Sequence, residues 1–73
     1  MKATLSDIIE YIISIINEFA DAFKLTEHQA FLYLKNHGAI EFIEKHYNIL
    51  HTLDFKESVE NLASYCRKNG GVL

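Results

Sequence analysis

Residues 5–23, LSDIIEYIISIINEFADAF, carry apolar side chains over more of a helix than one core contact can use. At 100° per residue these positions fill one continuous arc of roughly 200°, whereas a surface helix needs about 100° to sit on a core. Tyr11 and Ala22 mark one edge of the arc and Ile13 and Ala20 the other. Leu5, Ile8, Ile9, Ile12, Ile15, Ile16, Phe19 and Phe23 lie between, and Asp7, Glu10, Ser14, Asn17, Glu18, Asp21 and Lys24 fill the remaining sector. Such a helix should touch several neighbours, or one neighbour and a second chain.

Seventy-three residues make one domain, 1–73, near the lower limit at which a single core holds a fold. The lone cysteine, Cys66, excludes an intramolecular disulfide, and no dense Cys/His set points to a structural metal. Association with another chain is the stabilising device left, and it fits the wide arc. Ten acidic residues against seven basic ones leave a net charge of −3. That balance argues against nucleic acid, whose phosphates demand Lys and Arg, and against anionic membrane surfaces. Asp7 and Glu10 interrupt the opening apolar stretch, and no cleavage site follows. No run reaches the 18 or so uncharged apolar residues of a membrane span. With a single thiol in addition, a cytoplasmic location is expected.

Helix punctuation is legible along the whole chain. Proline is absent, and the three glycines are Gly38, Gly70 and Gly71. Ser6 or Thr4 can cap the first helix, which should end near Phe23 or Lys24. Thr26 opens T-E-H-Q, a capping box in which Gln29 reaches back to the Thr26 amide. Gly38 reads as the left-handed terminator of the second helix. A third helix places Ile40, Ile43, Tyr47 and Leu50 on one face, and its pattern loosens from Asn48 to Leu53. Asp54 starts D-F-K-E, a box-like cap for a fourth helix with Phe55, Val59, Leu62 and Cys66 on one ridge. Gly70-Gly71 stops that helix. The expected spans are 5–24, 27–36, 39–48 and 55–69, an all-α, compact bundle of four helices joined by short loops. Its core should hold Ile12, Ile16, Phe19, Phe23, Leu34, Ile43, Val59 and Leu62.

Few residues carry candidate chemistry. His28, His37, His46 and His51 include no pair four apart on one helix face, so the spacing of a helical zinc site is missing. His51-Thr52-Leu53-Asp54 places an imidazole, a hydroxyl and a carboxylate within one turn. Catalysis needs nucleophile, base and orienting group converging in a pocket. Capping by Asp54 and backbone bonds from His51 or Thr52 explain the same residues more simply. Cys66 lies on an apolar ridge, where cysteine behaves as a small hydrophobe. A helix-turn-helix is disfavoured, since the would-be reading helix carries Glu41 and Glu44 against Lys45 alone. Neither catalytic residues nor a cofactor are expected.

One resemblance adds to this reading. From Leu25 to Thr52, T-E-H-Q-A-F, then Gly38 with A-I-E-F-I-E-K-H-Y, then N-I-L-H-T resemble a family of short bacterial helical proteins of unknown function. Gly38, Tyr47, Leu50, His51 and Thr52 match its characteristic positions. The resemblance implies an accessory protein encoded beside ADP-ribosyltransferase-like toxins, hence a partner-binding role such as that of an antitoxin. It transfers no catalytic residue.

The reading is therefore a non-enzymatic protein-interaction module. Ile9, Tyr11, Ile13 and Leu32 are its expected partner-binding residues, at the margins of the apolar surfaces. Gly38, Tyr47, His51, Thr52 and Asp54 are expected to shape the turns. The competing reading is a homo-oligomeric structural protein, closed as a homodimer through the first helix without a separate ligand. A small hydrolase would require a pocket joining His51 to Asp54 and Cys66.

Overall fold

The computed structural model describes residues 3–73, so Met1 and Lys2 of the expected domain lie outside the described residues. Four helices make up the fold: α1 (Leu5–Phe23), α2 (Glu27–Asn36), α3 (Ala39–Leu50) and α4 (Phe55–Lys68). Among the described residues there is no strand.

Local chemistry sets each boundary. At the start of α1 the Asp7 amide donates to Thr4 Oγ1, and the Thr4 amide donates to the Asp7 carboxylate, both at 3.1 Å. Thr26 and Gln29 make the same reciprocal pair for α2, at 3.1 and 2.9 Å. Each box satisfies two amides that lack a partner within the helix. Asp54 makes half of such a box for α4, accepting from the Glu57 amide at 2.8 Å. The end of α1 is less ordinary. Lys24 adopts a left-handed conformation, φ 56°, so that the Leu25 amide can reach back to the Ala20 carbonyl at 2.8 Å. A lysine there bears the steric cost that glycine avoids. Gly38, with φ 75°, makes the corresponding sharp corner before α3.

α1 packs against all three other helices. Gly38 lies beside the Tyr65 ring, the His37 Nδ1–H donates to the Asn69 carbonyl at 3.1 Å, and Ser58 Oγ donates to the Leu50 carbonyl at 3.2 Å. These contacts join the start of α3 to the end of α4 and the end of α3 to the start of α4, so the two helices run antiparallel. Ile15, Phe19, Leu34, Ile43, Leu62 and Cys66 are the largest apolar side chains fully removed from solvent. Ala20, Ala30, Ala39 and Ala63 let backbones approach around them.

Phe19, Leu34, Ile43, Val59 and Leu62 are in the core as read from the sequence, but Ile12, Ile16 and Phe23 are only half-buried and pack against its edge. The arc of α1 is centred on Ile15 and Phe19. The third helix also runs to Leu50, past the expected end at 48, because a kink at His46 (φ −112°, ψ 20°) re-aims its last turn without ending it. Lengths explain the asymmetry of α1. At 1.5 Å per residue α1 spans about 28 Å and α2 about 15 Å. The short α2 meets the C-terminal part of α1, where Phe19 stacks on Tyr33 with ring centroids 5.8 Å apart. Nearer the N-terminus Leu5, Ile9 and Ile13 remain 72%, 47% and 54% exposed.

Two stability predictions follow from this division of α1. Ile15→Ala should cost about 2–5 kcal/mol, through lost burial and a residual cavity, whereas Ile13→Ala should stay within about 0.5 kcal/mol of the parent. Lys24→Gly should stabilise by about 1 kcal/mol, by relieving the left-handed corner. Urea unfolding followed by far-ultraviolet circular dichroism checks both; equal losses for the two isoleucines would refute the inner and outer assignment.

Candidate interaction surface

Ile9 and Ile13 lie one turn apart, and with Leu5 one turn earlier they form an i, i+4, i+8 strip. Leu5 is the most exposed of the three, and sequence reasoning did not name it as a contact residue. Its signal was present, since it shares the spacing of the other two. Leu32 is 39% exposed on α2, on the side away from the buried Ala30 and Leu34. Phe31 beside it is 36% exposed, with the Lys35 ammonium 5.9 Å from its ring centre.

Tyr11 belongs to a different environment. Its ring lies edge-on to Tyr47 (centroids 5.5 Å apart) and stacks on Phe55 (6.2 Å). The Tyr11 hydroxyl donates to Ser58 Oγ at 2.9 Å and lies 3.2 Å from the Leu50 carbonyl oxygen that Ser58 also reaches. Ser58 is fully buried, and among the described residues no buried side-chain polar atom lacks a partner. Burial raises the Tyr11 pKa above its usual value of 10.0, the Ser58 bond partly offsets the rise, and the nearby Tyr47 adds to it. The expected contact residue Tyr11 thus has its polar end committed to joining α1, α3 and α4. As a half-buried residue with an inward hydroxyl, it is poorly placed to serve the outer strip.

The turn residues cluster around this node. Tyr47 stacks on His51 with centroids 4.7 Å apart. Thr52 Oγ1 donates to the Ile49 carbonyl at 2.6 Å, and Asp54 follows as the cap of α4. Gly38 stands at the other end of α3. Among the described residues no three His, Cys, Asp or Glu side chains are grouped to hold a metal ion.

Two open grooves flank α4. One, about 720 Å³, runs between α1 and α4 past Phe23, Phe55 and Val59, with Glu18, Asp21, Glu60, Lys56 and Arg67 also in its walls. The other, about 400 Å³, lies between α3 and α4 and includes Phe42, His46, Ile49 and Lys68. Neither groove is lined by His51, Asp54 or Cys66. Burial pushes the Cys66 thiol from 9.0 up to about 11, only partly countered by the charge of Arg67. A neutral, buried thiol is a poor nucleophile.

The fold and its surface define a small all-α protein with one long helix partly uncovered. A family model described as a protein of unknown function, DUF3791, matches residues 10–69, and the chain belongs to that family. No curated protein and no solved structure matches it. No helix among the described residues is long and apolar enough to cross a membrane.

The thiol yields a prediction with a defined sign. Because Cys66 ionises near 11 when folded and near 9 when exposed, its contribution to stability is complete below pH 9 and is lost as pH rises through 11. Unfolding free energy should therefore begin to fall near pH 9, and Cys66→Ala should flatten that first part of the curve. Tyr11→Phe should alter the profile only above about pH 10. At neutral pH a thiol reagent should label Cys66 only upon addition of denaturant; rapid labelling of the native protein would contradict its burial.

Proposed function

We propose that the protein is a non-enzymatic interaction module that docks a partner protein on the outer strip of α1. The observation carrying this reading is the contiguous exposure of Leu5, Ile9 and Ile13, beyond the reach of α2. The largest contiguous apolar patch of a small protein is often its functional one. Leu32 extends the same kind of surface onto α2. The resemblance noted in the sequence favours a particular form of the role, an antitoxin-like or accessory partner of an ADP-ribosyltransferase-like protein in a bacterial cytoplasm. Self-association through the same strip, giving a homodimer, is the competing use, favoured by an i, i+4, i+8 ridge of the kind that interdigitates with the same ridge on a second helix.

Affinity capture from native cells with the wild-type chain and with an Ile9→Asp, Ile13→Asp variant tests the proposal. A single dominant partner, identified by mass spectrometry, should bind the wild type and be lost at least about tenfold with the variant, which removes roughly 1.4 kcal/mol or more of contact. Circular dichroism should report an unchanged fold. Undiminished capture by the variant would sink the assignment of the strip. Sedimentation showing only a strip-dependent dimer would replace the module with the self-assembling protein.

A further inference from the structure

The groove between α3 and α4 has a chemistry of its own. Its volume, about 400 Å³, falls within the range of small-molecule sites. α3 gives it an apolar wall from Phe42 to Ile49 and Leu50, with Leu53 beyond. The kink at His46 falls inside that wall and re-aims its last turn. Ile49 is 63% exposed there, a large aliphatic side chain that the fold leaves in water. Rings gather at the other end. Tyr65 stacks on Phe42 with centroids 4.3 Å apart, and the His46 ring lies tilted 4.5 Å from that of Phe42. Tyr65 also lies beside Gly38, at the start of α3.

Charge is distributed as unevenly as the rings. The chain has ten acidic residues, yet no Asp or Glu lines this groove, whereas three line the groove between α1 and α4. Among the described residues lining it, Lys68 is the one Lys or Arg. Ser64 and Asn61 precede it by one and two turns on the same side of α4, and both line the groove. On α3, Lys45 is one turn from both Phe42 and Ile49, and it stands between their face and that of Glu41 and Glu44. The acids on this side of α4 are Asp54 and Glu57. Glu57 precedes Lys68 by 11 residues, about 16 Å along the helix. The two helices are antiparallel, so Lys68 shares the end that holds Phe42 and Tyr65. That end is cationic, and carboxylates stand only beyond the opposite one.

The geometry points to a binding site for a small aromatic monocarboxylate. Its ring system lies over Phe42, His46 and Ile49, and its carboxylate accepts from the Lys68 ammonium and the Ser64 hydroxyl. Removal of ring surface from water supplies most of the affinity, and the polar groups fix the orientation. A second anionic group at the far end of the ligand would approach Asp54 and Glu57, which selects a single charge. Leu5, Ile9 and Ile13 do not line this groove, so the site is independent of the outer strip of α1.

The test is a titration of the nitrogen-labelled full chain with β-naphthoate, followed by amide chemical shifts. β-Naphthamide is the neutral control and β-naphthylmethylammonium the cationic one. β-Naphthoate should move the amides of Phe42, His46, Ile49, Ser64 and Lys68 in one saturable process. It should bind at least about threefold more tightly than the amide, the scale of one exposed ion pair. Lys68→Gln should erase that margin and Lys68→Arg should keep it. Ile49→Glu puts an acid into the groove at an exposed position and should weaken β-naphthoate at least about tenfold. The amide spectra of these variants report whether each is folded. Absence of saturable shifts, or shifts confined to α1, would overturn the site. Equal or tighter binding of either control would overturn the anionic class of ligand. A margin that survives Lys68→Gln would overturn the part given to Lys68.

Discussion

Phe19 anchors the meeting of α1 with α2 inside the core. Its side chain is fully buried, with its ring centroid 4.7 Å from that of Phe23 and 5.8 Å from that of Tyr33. Around it one long helix has to serve three shorter neighbours. An α-helix of 19 residues can do so only if its apolar arc is wide, which is why isoleucines extend well past the width of a single seam. The same geometry leaves a remainder. Where a neighbour runs out, the arc does not, and the uncovered part of α1 is a consequence of its length relative to α2.

The second constraint is polar. Ser58 is buried without exposure, and a hydroxyl in that position is costly unless it is bonded. Tyr11 from α1 and the Leu50 carbonyl from the end of α3 supply its partners. The kink at His46 contributes by turning the last part of α3, which carries both Tyr47 and Leu50 toward α1. A small hydroxyl-centred node therefore fixes how three helices meet, where apolar contacts alone would tolerate sliding. Polar contacts are directional; hydrophobic ones are not.

Much of this organisation was legible because capping chemistry is local. Thr26 with Gln29 and Asp54 each announce a helix start within four residues, and Gly38 announces a corner, whereas for α1 the sequence left Ser6 and Thr4 as alternatives and the structure selects Thr4. Lys24 shows the limit: a left-handed lysine carries no signal in its residue type, and the corner is held by the Leu25 amide on the Ala20 carbonyl and by Leu25 against the core. The burial of Ile15 in preference to Ile12 and Ile16 was illegible for a related reason. All three lie in one arc, and only the lengths and crossing positions of the other helices decide which part of it faces inward. Tyr11 stood at the edge of that arc, so its periodicity fitted a surface margin equally well. Its real partners, Leu50 and Ser58, are 39 and 47 residues away and no local pattern names them. For the outer strip, pattern showed that a margin would exist and the structure showed where.

That strip is not needed to hold α1 in place. The helix is secured by its capping box at one end, its reversed corner at the other and the Ile15–Phe19 contacts between. Straight-chain polar residues at positions 5, 9 and 13 would give equal or better helix propensity and better solubility. Leucine and isoleucine there gain little for the isolated fold, while exposing surface that invites aggregation. Covering that surface reverses the balance: an occupant that binds only the folded chain stabilises it by mass action, about 2.7 kcal/mol at a hundred times its dissociation constant. For a domain near the lower size limit, that is a large share of all the stability it can have. With a partner on that strip, association and folding would be coupled through α1, because the helix that organises the core would also be the helix that is covered.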